Sequence, residues 1–265
     1  MTAAQDIREM VVEQVEYHEL LLQMTRRDLL LRYKQTVMGF GWAIFMPLVN
    51  TAVFSVIFTR VARIDTPVPY PLFAFCGFLI WNFFAASLRF STLSLTSNSN
   101  LVTKVYFPRE IFPFSSVLVC LVDLAVGALV LVAMMVYYQV GLSPTILALP
   151  VIVAVNLAFT LAIALFLAMS NLFYRDVKYL FEVAITVWMF ATSVIYPVES
   201  VGGRLGSLLA MNPMTQILEA YRAVLLYGRL PEPVGFGVTA VVSVGLLVVS
   251  WLSFHRAEFT FAENI

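Results

Sequence analysis

The sequence predicts an all-α integral membrane protein, with six transmembrane helices, an N-terminal amphipathic interface helix and a re-entrant outer hairpin between transmembrane helices 5 and 6. Of the 265 residues, 61% are hydrophobic and only 12% are Asp, Glu, Lys or Arg. Soluble domains contain about 45–50% apolar and about 25% charged residues. The mean hydropathy is +0.89. A soluble globule could not cover this much apolar surface with so few charges, so lipid is the predicted solvent.

The whole chain, 1–265, is expected to form one transmembrane domain. A helix crosses a hydrocarbon core of about 30 Å with about 20 apolar residues. Long runs that are almost free of charge meet this requirement six times. The predicted transmembrane segments are 42–59, 72–95, 111–138, 146–171, 179–196 and 234–254.

The third and fourth segments are separated by a turn inside an uncharged stretch. Between Asp123 and Arg175 lie 51 residues without a formal charge. One helix of that length would measure about 77 Å, more than twice what a bilayer covers. Gly141, Leu142, Ser143 and Pro144 form the strong turn signal in the stretch, so we place the turn there.

Residues 1–40 are predicted to lie outside the membrane core as a cytoplasmic or interfacial helix. Tyr17, Leu20, Leu21 and Met24 follow the i, i+3, i+4, i+7 spacing of one apolar helix face. Charged and amide side chains occupy the other side. Such a helix either lies in the membrane interface or packs across a bundle, and a plain anchoring role is an equal alternative.

Residues 197–233 contain too many apolar residues for a free loop. Gly202 and Gly203 interrupt the segment, and Asn212 followed by Pro213 resembles an N-cap with proline at the first helical position. Two short helices on either side of 211–213 are therefore predicted. Irregular backbone at membrane depth is tolerated where protein or a water-filled cavity covers it. A re-entrant hairpin that lines a pathway is favoured over a surface loop.

The distribution of basic residues predicts that both termini are cytoplasmic. With the N-terminus inside, eleven of the 16 Lys and Arg residues fall on or near the cytoplasmic face and five fall on the opposite side. This is the asymmetry of the positive-inside rule. The net charge of zero argues against a nucleic-acid partner, because binding of phosphates needs a concentrated basic surface.

Enzymatic chemistry is not expected. No stretch matches the P-loop pattern GxxxxGK[ST], and His18 and His255 show no metal-ligand spacing, so no catalytic residue and no metal site is predicted. Asp123 lies deep in a predicted transmembrane segment, and Glu182 lies about one turn into another. Ionisable groups at such positions suggest function. A hydrogen-bonded packing role for Asp123 and a role in a proton-coupled secondary carrier both remain open.

Four blocks of the sequence resemble the polysaccharide-export branch of the type 2 ABC transporter permeases. They are RRDLLLRYKQTVMGFGWAIFMPLV at 26–49, KVYFPREIFP at 104–113, NLFYRDVKYL at 171–180 and MNPMTQILEAYRAVLLYG at 211–228. The blocks occur in the order of the family and span most of the chain. Members of this branch are the membrane subunits that export O-antigen, capsular polysaccharide, teichoic acid or related glycans.

The resemblance implies a homodimer served by two copies of a separate ATPase, which would bind the ATP and Mg²⁺, so no cofactor is expected on this chain. It assigns coupling to the ATPase to two groups of residues: Lys104, Tyr106, Phe107, Pro108, Arg109 and Glu110, and Arg175 and Asp176. It also implies an outer gate around Asn212, Pro213, Glu219 and Arg222.

The expected activity is export of a lipid-linked cell-envelope polysaccharide, of O-antigen, capsule, teichoic acid or galactan type, across the bacterial cytoplasmic (inner) membrane. The lipid carrier is expected to be a polyprenyl diphosphate. Arg26, Arg27, Arg32 and Arg89 could attract that diphosphate, although positive-inside topology explains them equally well. A type 2 permease for a small hydrophobic drug or lipid is the nearest alternative. A proton-coupled carrier that uses Asp123 is a more distant one.

Overall fold

The computed structural model describes residues 3–34, 36, 38–39, 41–60, 66–104 and 107–261. All regular elements in these ranges are helices. Eleven α-helices follow one another: α1 (Ala3–Glu16), α2 (His18–Tyr33), α3 (Gly41–Arg60), α4 (Tyr70–Ser97), α5 (Ser99–Lys104), α6 (Ile111–Tyr137), α7 (Leu149–Phe173), α8 (Val177–Phe190), α9 (Gly203–Ala210), α10 (Pro213–Leu225) and α11 (Pro233–Ala257). Short 3₁₀ turns cover Pro144–Ala148, Val198–Ser200 and Glu258–Thr260.

Four helical stretches are long and apolar enough to cross a membrane, among the residues that the structure describes. They are Tyr70–Ser97, Ile111–Tyr137, Pro144–Phe173 and Pro233–Ala257. A shorter apolar helix covers Ile44–Phe58. The helix predicted over 179–196 is the 14-residue α8, which at about 1.5 Å per residue is too short to cross about 30 Å.

The early end of α8 has a visible cause. The backbone turns from 191 to 196 instead of continuing as a helix. The carbonyl oxygens of Ser193 and Val194 accept hydrogen bonds from the Arg222 guanidinium at 2.6 and 2.7 Å, and the Ile195 carbonyl accepts one from the Tyr70 hydroxyl at 2.9 Å. These hydrogen bonds to Arg222 and Tyr70 replace the bonds that the carbonyls would make in a continuing helix. The sequence of the segment alone does not predict them.

Helix α4 lies at the centre of the bundle. It packs against α3, α6, α7, α8 and α10, and several of its aromatic side chains, among them Phe73, Phe75 and Phe84, are fully buried. Helix α11 is peripheral: it packs against α7 and exposes valines such as Val234, Val238 and Val241. An apolar exposed face of this kind suits contact with lipid.

The bundle has two distinct ends. At the first, which we call the terminal end, α2, α5 and the segment after α11 meet around a core cluster that includes Phe107, Phe112, Phe254 and Phe261, and α1 packs against α11. Tyr17, Leu20, Leu21 and Met24 pack against this cluster, so the predicted apolar stripe of the N-terminal region is used for packing.

The second end, the hairpin end, contains α9, α10 and the turn after α8. The two short helices flank Met211 and Asn212, where the sequence predicted them. Gly202 and Gly203 have φ of +60° and +58°, a left-handed conformation that favours glycine. Helix α10 is an inserted core element, because Met214, Ile217 and Leu218 are fully buried.

Candidate functional site

The predicted coupling segment lies at the terminal end, and most of its side chains point inward. Lys104, at the end of α5, is exposed. Phe107 is buried, with its ring centroid 5.4 Å from that of Phe112, and Pro108 is also buried. Tyr106 lies outside the described residues. Phe107 and Pro108 therefore fix the shape of the segment and leave Lys104 on its surface.

Arg109 fastens this segment to the end of the chain. Its guanidinium Nη1 donates to Glu258 Oε1 at 3.0 Å, and its backbone N–H donates to the same oxygen at 3.0 Å. Both side chains are largely buried, so solvent screens the ion pair less than it would at the surface. The sequence prediction missed Glu258, because 149 residues separate it from Arg109.

Glu110 is completely buried. Its Oε1 accepts a hydrogen bond from the indole N–H of Trp251 at 3.1 Å. Burial raises the pKa of the Glu110 carboxyl, and the nearby Glu258 carboxylate raises it further, because both disfavour the charged form. A second acid, Glu13 of α1, and His255 of α11 lie beside it.

Arg175 and Asp176 are exposed between α7 and α8. Arg175 lines a polar cavity of about 370 Å³ together with Ser99 and Lys178. The fold thus places this second predicted coupling motif beside the beginning of α5. Both predicted coupling groups belong to the terminal end of the bundle.

A larger cavity of about 460 Å³ lies between α2, α3, α4 and α6, and two of the four predicted diphosphate residues line it. Arg32 pairs with Asp123 at 2.8 Å, and the Tyr33 hydroxyl donates to the same carboxylate. Arg89 makes two hydrogen bonds to Glu182, at 2.6 and 2.8 Å. The cavity is therefore polar on one side, and its arginines are matched by carboxylates.

The other two predicted arginines lie elsewhere. Arg26 is exposed on α2, and Arg27 pairs with Asp28 at 2.7 Å and donates to Asn98 at 3.0 Å. The structure brings Arg32 and Arg89 together and separates Arg26 and Arg27 from them. Asp123 and Glu182, on which the sequence left the role open, are ion-pair partners of the cavity arginines.

The predicted gate residues meet at the hairpin end. Arg222 is completely buried. It donates to the carbonyls of Ser193 and Val194 and to Glu219 Oε1 at 2.8 Å. Its guanidinium carbon lies 3.5 Å from the centroid of the Phe73 ring, which adds a cation–π contact. This set of residues, which we call the arginine cluster, joins α10 to α4 and to the turn after α8.

Asn212 fastens the start of α10 to the same turn. Its Oδ1 accepts hydrogen bonds from the Met214 backbone at 3.0 Å and from the Trp188 indole at 3.2 Å. Its Nδ2 donates to the Ala191 carbonyl at 3.0 Å. Pro213 occupies the first position of α10, where its missing N–H costs nothing. The predicted N-cap is confirmed, with Trp188 as an additional partner that sequence spacing could not reveal.

Several apolar helices long enough to cross a bilayer, with charged connections at one end, indicate a multi-pass membrane protein. Comparison with known families specifies it further: the ABC-2 type transporter family matches residues 19–226. The chain belongs to this family.

Curated relatives match almost the whole chain. An O-antigen export system permease protein, RfbA of Myxococcus xanthus, is 33% identical over 97% of this chain and 99% of its own length. A Klebsiella pneumoniae protein of the same name is 27% identical over 92% of this chain and 94% of its own length. The family expectation from the four sequence blocks is confirmed.

Proposed function

We propose that this chain is the membrane subunit of an ATP-driven exporter that moves a lipid-linked cell-envelope polysaccharide of the O-antigen class out of the cytoplasm. The observation that carries the proposal is the similarity to curated O-antigen export permeases over nearly the full length of both chains. The sequence contains no P-loop, so energy would come from a separate ATPase. Two copies of this chain and two of the ATPase would form the transporter.

In this proposal α3, α4, α6, α7, α8 and α11 are the six membrane passes of an inner-membrane protein, with both termini in the cytoplasm. The terminal end then faces the cytoplasm and the hairpin end faces outward. Helix α8 would complete its pass with the turn at 191–196, whose carbonyls have partners in Arg222 and Tyr70. Helices α9 and α10 would form the re-entrant hairpin, and the burial of α10 supports this assignment.

ATP binding would act through the terminal end. Lys104, Arg175 and Asp176 are exposed there and would contact the ATPase. The ion pair between Arg109 and Glu258 at 3.0 Å would transmit the movement of that segment to the end of α11. Chains of packed and hydrogen-bonded side chains can carry coupling between two distant sites, and this buried pair would be one link of such a chain.

The diphosphate of the lipid carrier would bind at the cavity of Arg32 and Arg89. Arg89 and Glu182 are each 47% exposed, and pairs of this kind contribute about 0–1 kcal/mol. A diphosphate presents more charge and more acceptor oxygens than one carboxylate, so it can replace Glu182 at a low cost. Arg26 and Arg27, which lie outside the cavity, would attract the lipid to this face.

Co-purification with the ATPase encoded beside this chain tests the proposal. We expect an assembly near two plus two in mild detergent, with an ATP turnover that responds to lipid-linked glycan. A chain that purifies alone and moves solute under a proton gradient would contradict it. An ATP turnover that hydrophobic drugs stimulate and glycan does not would favour the alternative, a permease for small hydrophobic drugs or lipids.

A further inference from the structure

Three ionisable side chains from distant parts of the sequence meet at the terminal end. Glu13 of α1, Glu110 at the start of α6 and His255 near the end of α11 each offer one ligand atom, and these atoms all lie within 4.8 Å of one another. The sequence spacing gave no sign of this group, because its members are about a hundred residues or more apart. We call it the Glu13–Glu110–His255 group.

Glu110 is incompletely satisfied. It is completely buried, and its Oε2 has no hydrogen-bond partner among the residues that the structure describes. His255 Nδ1 is in the same condition. A buried carboxylate oxygen without a partner is costly, so this arrangement calls for a further group between the three side chains.

The nearby guanidinium of Arg109 already has an ion-pair partner. Arg109 pairs with Glu258 at 3.0 Å, and Glu258 Oε2 lies 3.9 Å from His255 Nδ1. Glu13, Glu110 and His255 lie close together, while the Arg109 guanidinium is paired with Glu258.

We propose that the Glu13–Glu110–His255 group binds one divalent transition-metal ion of the Zn²⁺ class. One imidazole nitrogen and two carboxylate oxygens form a ligand set that Zn²⁺ accepts, with water in the remaining position. Mg²⁺ and Ca²⁺ prefer oxygen ligands throughout, so the histidine disfavours them. Tetrahedral Zn²⁺ needs ligand atoms about 3.4 Å apart. The group would have to contract slightly, and we expect this through a shift of α1, which packs against α2 and α11.

The ion would connect three elements: the N-terminal helix α1, the coupling segment through Glu110, and α11 through His255. Trp251 would act as an outer partner, because its indole N–H already orients Glu110 Oε1 at 3.1 Å. Metal binding itself does not rest on the proposed export function. Only the expected effect on coupling to the ATPase does.

The test uses the purified full-length chain in detergent, without ATPase or glycan. After removal of metal with a chelator, Zn²⁺ is titrated by calorimetry and Co²⁺ by its visible absorption. We expect one ion per chain and a melting temperature that rises with Zn²⁺ concentration. Glu110→Gln and His255→Ala should abolish this binding, and Trp251→Phe should weaken it roughly 10–100-fold, as loss of an outer partner does.

Matched controls separate the site from general histidine and carboxylate binding. His18 is the other histidine of the chain and is exposed on α2, and Glu16 is exposed at the end of α1. His18→Ala and Glu16→Gln should bind Zn²⁺ as the wild type does. If Glu110→Gln fails to fold, Glu13→Gln on the peripheral α1 gives the same information.

Two results would overturn the proposal: less than one ion per chain in the wild type, or binding that survives both Glu13→Gln and His255→Ala. Because neither measurement involves transport, a failed metal site leaves the export proposal intact. Conversely, a chain that binds Zn²⁺ but exports no glycan would contradict the proposed function alone.

Discussion

The two ends of the bundle both bury charged side chains, but they satisfy them differently. At the hairpin end, the completely buried Arg222 has two carbonyl oxygens at 2.6 and 2.7 Å, the Glu219 carboxylate at 2.8 Å and the Phe73 ring as partners. At the terminal end, the completely buried Glu110 has one side-chain hydrogen bond among the described residues, from Trp251. The first charge has several partners, although its Nε has none among the described residues, whereas the second charge has one.

This difference indicates which end is built to stay fixed and which end is built to respond. A buried charge with several good partners holds its surroundings in one arrangement, because every alternative loses those partners. A poorly matched buried charge can gain stability from a new ligand or from a movement. We therefore interpret the arginine cluster as a rigid support for the hairpin, and the terminal end as the region where ATPase binding changes the protein.

The largest effect is expected from Arg222→Met, which keeps an apolar side chain in place but removes the guanidinium. The carbonyls of Ser193 and Val194 lose their donors, and the substitution should destabilise the protein by about 3–5 kcal/mol, as loss of one partner of a buried pair does. Thermal unfolding in detergent measures it. Arg229→Met, at an exposed residue, is the control. An unchanged melting temperature for Arg222→Met would refute the support role.

Gly77→Ala tests how tightly the arginine cluster is packed. A Cβ at Gly77 would lie 2.4 Å from the Val194 carbonyl oxygen and 2.6 Å from Arg222 Nη2, and overpacking of this kind costs about 1–3 kcal/mol. Gly245→Ala in α11, where a Cβ meets nothing within 4 Å, should be neutral or slightly stabilising. Equal melting temperatures for the two variants would show that the arginine cluster accommodates the added methyl group without loss of stability.

Asn212→Ala removes the N-cap of α10 together with its bonds to Trp188 and Ala191. Loss of an N-cap costs about 0.5–2 kcal/mol, so the fold should persist with a lower melting temperature. Asn212→Asp keeps the acceptor oxygen that caps Met214 and should recover part of the loss. An Asp variant no better than Ala would argue against the cap.

The smallest effect on stability is expected from Glu182→Gln in the cavity. Its pair with Arg89 is half-exposed, and such pairs contribute about 0–1 kcal/mol. Export should nevertheless change, because Arg89 would then have no competing carboxylate, and a lipid diphosphate should bind more tightly. Binding of a polyprenyl diphosphate to detergent-solubilised protein, with Arg204→Gln as the control, measures this. Weaker or unchanged binding would contradict the assignment of the cavity.

The positions of the long helices could be predicted from the sequence, because a long run of residues without charge marks each of them. Helices α4, α6 and α11 begin and end within about three residues of the predicted segments. The N-cap at Asn212 was also visible, since capping is a local signal. The early end of α8 was not, because Arg222, 28 residues away from Val194, takes over its carbonyls. The Arg109–Glu258 ion pair and the Glu13–Glu110–His255 group form by contacts between segments that are distant in the sequence. The spacing of residues along the chain does not predict such contacts.

The most direct test combines ATP turnover and glycan movement in one vesicle preparation that contains this chain and its ATPase. Wild-type vesicles should move lipid-linked glycan and raise their ATP turnover when it is present. Arg109→Ala should assemble and hydrolyse ATP at its basal rate, yet lose the response to glycan and the export, because its connection to Glu258 is gone. Normal export by Arg109→Ala would contradict the proposed coupling through the terminal end.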